Sequence, residues 1–282
     1  MNTINKNLYA AWNDKTHAKY FDGGYNLNLR GLKKVYESYN EVKLFLNSKS
    51  GLLGNQLLEV GCATGEFLRY IDKYHNEFDY FGVDISKPAI ERAKEKYPDG
   101  NLFCMNENLL LSETLNRMKI KPSILYARDV VLHQTNPFEF LQDIISIPSE
   151  LAIFRIRTRD KGVTVLNPEL SCQYHYNKWV PYMVLNIDEV IAAISSQVHF
   201  ESLYIIKNYQ QLGGHTNRYL PKECYYPETG TAETSCAIKI SENKVEKPKI
   251  IIEEVKDSNA SFNLFDYKLD YIIKRVRKML FK

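Results

Sequence analysis

The chain lacks several things that would place it outside ordinary globular enzymes. None of its 282 residues belong to an apolar run of eighteen or more, the length that spans a bilayer. The opening residues, MNTINKNLYAAWNDK, have no apolar core of a signal peptide. The cysteines are five (Cys62, Cys104, Cys172, Cys224 and Cys236), an odd number with no CxxC pair. A disulfide framework is therefore not expected, and a cytoplasmic location is. Cys172 and His175 are close enough to share a metal, but no second pair stands at zinc spacing, so no metal site is expected. The formal net charge is only +3, too weak to suggest a nucleic-acid partner. Internal repeats and low-complexity tracts are absent as well.

What is present is a rhythm. QLLEV, YFGVDI, NLFCM, SILYA and LAIFRIR read as strands. Between them EFLRYIDKY, KPAIERAKEKY, SETLNRM and PFEFLQDIISI read as helices. Strands alternating with helices of this length predict right-handed βαβ units and a parallel sheet covered on both faces. Ser86 and Pro88 mark the start of the second of these helices. Ahead of the rhythm, Leu32, Val35, Tyr36, Tyr39, Val42 and Leu46 recur at helical spacing. After Arg159 the stretch to Pro181 is rich in Tyr, Asn and Pro and reads as a long ordered loop. A helix from Asp188 and the strands VHFESLYIIK and TSCAIKI follow. The end, KLDYIIKRVRKMLFK, is a basic amphipathic helix. Three regions are expected: an N-terminal helical cap or lid over 1–50, a main domain over 51–241, and an extension over 242–282.

The stretch LLEVGCATGEFLRYI runs from a strand through Gly61, Ala63 and Gly65 into a helix. Glycine permits positive φ and close approach of a ligand to the backbone. Asp84 follows 19 residues after Gly65, at the end of the second strand. A carboxylate there can accept both hydroxyls of a ribose, so the pair reads as a nucleoside-type cofactor site. A dinucleotide fingerprint would need a third glycine, which is missing. Glu59, two residues before Gly61, would crowd a pyrophosphate but suit a cationic ligand.

EVGCATGEFL, then FGVDIS, then ARDVVLHQ, in that order, resembles the class I S-adenosylmethionine-dependent methyltransferases. The likeness covers about residues 55 to 160; Ala63 departs from it, standing where the family has a middle glycine. It implies an α/β three-layer sandwich. The sheet is mostly parallel and seven-stranded with its last strand antiparallel, between an N-terminal helical cap and the basic C-terminal helix. It implies S-adenosylmethionine as cofactor and S-adenosylhomocysteine as product. By position Glu59, Gly61, Ala63 and Gly65 border the methionine and ribose, and Asp84 binds the ribose with Ile85 against the adenine. Asn106 or Glu107 lies near the adenine amino group, and Arg128 and Asp129 lie near the sulfur. Tyr9, Trp12, Tyr20 and Tyr25 are read as part of a lid.

For the acceptor, His133 after the fourth strand is a candidate base, with His175 as its rival; either could equally only pack. Arg155, Arg157 and Arg159 alternate, hence share a face if the strand continues. Arg157 and Arg159 are read as a clamp for a phosphate or carboxylate. Tyr174, Tyr176, Trp179, His215 and Arg218 are read as substrate-loop residues. The expected reaction is O-methylation of a small polar, anionic metabolite, in the setting of bacterial cell-surface or capsular sugars. Neither an NPPY-type motif nor a catalytic Cys-Pro pair points to nucleic-acid methylation. Two alternatives stand beside this reading: an NAD(P)-dependent oxidoreductase, and a non-catalytic docking protein. The tail helix suits peripheral membrane contact or packing on the domain or on a second subunit, so monomer and homodimer both stay open.

Overall fold

The computed structural model of the chain describes residues 10–24, 28–105, 110–175, 178–213 and 218–256. Three helices come first: α1 (Lys15–Gly24), α2 (Leu29–Tyr36) and α3 (Asn40–Ser48). Then strands and helices alternate: β1 (Gln56–Val60), α4 (Glu66–Tyr74), β2 (Asp79–Asp84), α5 (Lys87–Lys96) and β3 (Asn101–Cys104). They continue with α6 (Leu111–Met118), β4 (Ile124–Arg128), α7 (Pro137–Ile145) and β5 (Leu151–Arg159). Beyond these lie β6 (Cys172–His175), β7 (Lys178–Pro181), β8 (Leu185–Asn186), α8 (Ile187–Gln197) and β9 (Phe200–Tyr209). The last are β10 (Arg218–Tyr219), β11 (Ala232–Ile240) and β12 (Lys249–Lys256).

The central sheet has the order β12-β9-β11-β5-β4-β1-β2-β3, with β8 alongside β5. From β3 to β5 every pairing is parallel; β11 runs antiparallel to both β5 and β9. The order turns back at β1, which pairs with β2 on one side and β4 on the other. Such a switch point opens a crevice at the carboxyl ends of the strands. It places the residues after β1, β2 and β4 around one space.

Leu57 and Leu58 are adjacent, point to opposite faces and are both fully buried. Leu58, Leu125 and Phe154 pack under α6, α7 and α8, whereas Leu57, Ile124 and Ile153 pack under α3 and α4. Burying each such side chain stabilises the fold by about 1.5–3 kcal/mol. Local signals set the helix starts. Ser86 Oγ accepts from the Ala89 N–H at 3.3 Å at the head of α5. Asn28 accepts from the Gly31 N–H at 2.8 Å at the head of α2.

The structure departs from the sequence expectation in three places. The central sheet carries an eighth long strand, β12, drawn from the stretch read as a C-terminal extension, and it runs parallel to β9. The segment 160–181 is not a loop throughout: β6 and β7 pair antiparallel, and β10 joins them in a second, three-stranded sheet. The helical pattern from Leu27 is two helices, broken after Tyr36, which lets α2 lie on α4 while α3 reaches β11. The basic C-terminal helix lies outside the described residues, as do Tyr9, Tyr25, Asn106, Glu107, Tyr176, His215 and the side chain of Tyr20.

Candidate functional site

A cavity of about 350 Å³ opens at the switch point. One side is built from the turn after β1. Gly61, Ala63 and Gly65 all have positive φ there, at 80°, 45° and 82°. Glycine enters this region freely, and alanine at a cost of about 1–2 kcal/mol. A Cβ on Gly61 would also stand 2.5 Å from Val130 Cγ2. Glycine is thus required at 61 by the backbone and by packing on the loop after β4.

The turn is tied to the end of β2. Asp84 Oδ2 accepts the Ala63 N–H at 2.9 Å, and Oδ1 accepts the Ser86 N–H at 2.7 Å. The carboxylate is buried, and burial pushes its pKa up against these two bonds. Each oxygen keeps a lone pair for a further donor, which a vicinal diol would supply. Glu59 is buried too and accepts from Tyr80 Oη. Burial raises its carboxyl to about 8. A cation beside it would favour the ionised form.

Two further groups point to a ligand. Tyr126 Oη and Thr64 Oγ1 are buried at the cavity and have no hydrogen-bond partner among the described residues. An unsatisfied buried hydroxyl costs about 1–3 kcal/mol, so a polar ligand relieves both. The group that the sequence implies, with an ammonium, a carboxylate and a ribose diol, fits these donors and acceptors. Tyr126 shares a face of β4 with Arg128 and was legible only by that alternation.

The loop after β4 is held by charge. Asp129 (φ 57°) is half-buried among arginines: Arg155 grips it from two nitrogens, and Arg157 Nη1 lies 2.9 Å from Oδ1. Burial works to raise its pKa, but Arg157 and Arg155 hold it well below the usual carboxylate range. Glu233 takes the other side of both guanidiniums, at 3.1 Å from Arg155 and 2.9 Å from Arg157. Arg128 stacks 3.5 Å over the Tyr39 ring, with Nε 2.9 Å from Glu41.

The remaining wall is aromatic and histidine-rich. Trp12 and the α1 residues His17 and Phe21 line it, with His133 after β4 and Gln173 and His175 of β6. Trp12 lies 5.3 Å from His17 and 4.8 Å from His133 between ring centres. His133 Nδ1 donates to the Pro181 carbonyl at 2.8 Å, which fixes the neutral tautomer with its lone pair on Nε2. Burial lowers His133 to about 4, and His17 likewise, with His175 and His133 adding to the effect on His17. His175 is lowered by burial and by Arg218. His17 was not singled out in the sequence; its spacing of four from Phe21, on one face of α1, is the signal.

Of the residues read from sequence, Glu59, Gly61, Ala63, Asp84, Ile85, Arg128, Asp129, His133 and His175 line this one cavity. Gly65 starts α4 just behind it. Arg157, Arg159, Tyr174, Trp179 and Arg218 do not line it. Arg157 is engaged by Asp129, Glu233 and Tyr182. Arg159 donates to the Lys161 carbonyl at 2.6 Å and the Val163 carbonyl at 3.2 Å. Tyr174 and Tyr219 meet Trp179 edge-on at 5.4 Å each, and Arg218 lies 4.8 Å over Tyr182. Among the described residues no cluster of His, Cys, Asp and Glu could hold a metal ion.

Residues 58–147 match a family model described as a methyltransferase domain. Over that third of its length the chain is similar to methyltransferase domains. The match spans β1 to the end of α7, which includes the turn after β1, Asp84 and the loop after β4. No curated protein matches the chain. Among solved structures, the N-terminal domain of EvdMO1 with S-adenosylhomocysteine bound is 12% identical. It covers 80% of this chain and 95% of its own, at a TM-score of 0.49. Magnesium protoporphyrin IX methyltransferase from Synechocystis PCC 6803, with bound S-adenosylmethionine, is 12% identical over 85% of this chain and 100% of its own, at 0.47. A SAM-dependent methyltransferase from Archaeoglobus fulgidus is 15% identical over 78% and 99%, at 0.48. These likenesses are distant, and the match over residues 58–147 is the finding that bears on function.

Proposed function

We propose that the chain is an S-adenosylmethionine-dependent methyltransferase that acts on a hydroxyl oxygen of a small polar acceptor held between α1 and the wall formed by His133 and His175. Bound S-adenosylmethionine supplies a methyl group on a sulfonium, an electrophile that leaves S-adenosylhomocysteine behind. Asp84 would hold the ribose diol, Glu59 the ammonium end, and the turn from Gly61 to Gly65 the backbone-facing edge. Tyr126 and Thr64 would donate to the cofactor's remaining oxygens.

The observation that carries the acceptor reading is the 2.8 Å bond from His133 Nδ1 to Pro181. It turns a neutral Nε2 lone pair into the one basic site His133 offers, and that atom takes the hydroxyl proton as the C–O bond forms. Near-attack positioning falls to Trp12 and to Phe21 and His17 on α1. The expectation of an anionic acceptor loses its support, because Arg157 and Arg159 are already engaged by carboxylates and carbonyls. A neutral, hydroxyl-bearing acceptor suits an aromatic and histidine wall better.

His133→Ala tests this. Release of S-adenosylhomocysteine is followed across a panel of small hydroxylated acceptors. The variant should bind S-adenosylhomocysteine as the parent does and turn over about 100-fold more slowly or worse. Unchanged turnover would remove His133 as the base.

A further inference from the structure

The strand β12 ends the central sheet, and among the described residues no strand pairs with its outer edge. Its sequence there is KIIIEEVK. Three consecutive isoleucines on an open edge are unusual for a chain that works alone, because edges are normally blunted by charge, proline or bulges. Ile250, Ile251, Ile252 and Val255 are 38–47% exposed, and Tyr204, opposite Ile251 on β9, is 43% exposed. The apolar surface therefore lies on both faces of the sheet at its rim.

The strand is also firmly held. It pairs with β9 along all eight residues, from Lys249 opposite Ser202 to Lys256 opposite Tyr209. Glu254 bonds Tyr209 Oη at 2.9 Å and lies 3.5 Å from the buried Lys207. This edge is a fixed part of the fold.

We propose that β12 is a dimer interface, pairing edge to edge with β12 of a second copy of this chain into one continuous sheet. A two-fold axis normal to the sheet makes the pairing antiparallel. Charge selects the register. Centred on Ile251, it sets Lys249 opposite the partner's Glu253 at both ends. Ile250 then meets the partner's Ile252, and Ile251 meets the partner's Ile251. Directly opposed opposite charges and apolar pairs each favour such a ladder. A shift of two residues, the smallest step that keeps opposed side chains on one face, sets Ile251 against the partner's Glu253 and Ile250 against Glu254, which Lys207 and Tyr209 already occupy. Pro248 ends the ladder, since it has no N–H to donate. The interface commits to a second copy because its charges complement themselves.

Sedimentation velocity on the full chain over a concentration series tests the proposal. The wild type should sediment as a dimer of the 32.9 kDa chain. Glu253→Lys, which sets two lysines against each other, should weaken the dimer at least tenfold, and so should Lys249→Glu. The double swap, Lys249→Glu with Glu253→Lys, should restore it. Circular dichroism and S-adenosylhomocysteine binding, unchanged in each variant, would show that the fold persists. A monomeric wild type overturns the proposal. So does a dimer that Glu253→Lys leaves intact, or a double swap that stays monomeric.

Discussion

The backbone N–H of Ala63 donates to Asp84 Oδ2 at 2.9 Å. This bond locks the turn after β1 to the end of β2, so one carboxylate both shapes the turn and faces the cavity. Ala63 makes the bond at a φ of 45°, in a region where a side chain is strained.

Ala63→Gly should therefore relieve strain without moving the bond. Removing the αL cost of about 1–2 kcal/mol is partly offset by the greater freedom of glycine in the unfolded chain. The expected net is a gain of up to about 1 kcal/mol, read as a rise of a few degrees in Tm. Gly61→Ala should do the opposite. It meets both a φ of 80° and the Val130 methyl at 2.5 Å, and a loss of about 1–3 kcal/mol is expected. Val130→Ala should recover only the steric part. Thermal melts of the three variants check this.

Glu59 makes stability depend on pH in a definite direction. Its carboxyl is raised from 4.5 to about 8 in the folded protein. Between those values the folded state holds a proton that the unfolded state has lost, so stability falls as pH rises through the window. Glu59→Gln should remove that fall, and the difference between the two proteins should grow from pH 4.5 to 8 and then stay level. If the ammonium of the cofactor sits beside Glu59, binding S-adenosylhomocysteine near pH 7 should release a proton. Calorimetry in buffers of different ionisation enthalpy measures that release.

Much of this was legible in the sequence, for a physical reason. The strands β1 to β5 declare themselves by short apolar runs between helical repeats. The turn after β1 and Asp84 carry their chemistry in local residue types. What was not legible depends on distant partners. Arg157 read as a free clamp because Asp129 and Glu233, which engage it, come from other strands' ends. His17 joins His133 and His175 only once α1 folds over the cavity. The hairpin of β6 and β7 hid in a segment rich in turn residues, and β12 hid in a charged tail whose isoleucines pair with β9 far back in the chain.

The ion-pair cluster behind the loop after β4 should be strongly destabilised by loss of one member. Arg155 is buried between Asp129, Glu233 and Glu41. Arg155→Met removes the cation and leaves the buried Glu41 and the half-buried Asp129 and Glu233 without it, a loss of about 3 kcal/mol, the low end for a broken buried pair. Chemical denaturation should show it as a lower midpoint. A change under 1 kcal/mol would mean that Asp129 is held by Arg157 alone.

His133 gives the opposite pH trend to Glu59. Its imidazole falls from 6.5 to about 4 on folding. Below 6.5 the unfolded state binds a proton that the folded state refuses, so stability is lost as pH falls from 6.5 towards 4. His133→Gln should flatten that limb in a pH series of urea melts.

The central claim is a nucleoside cofactor held by Asp84 at the switch point. Calorimetric titration with S-adenosylhomocysteine, with NADH as control, tests it most directly. The wild type should bind S-adenosylhomocysteine and not NADH, and Asp84→Asn should lose about 10–100-fold in affinity, the worth of hydrogen bonds to a charged acceptor. Equal affinity in Asp84→Asn, or a preference for NADH, would contradict the account.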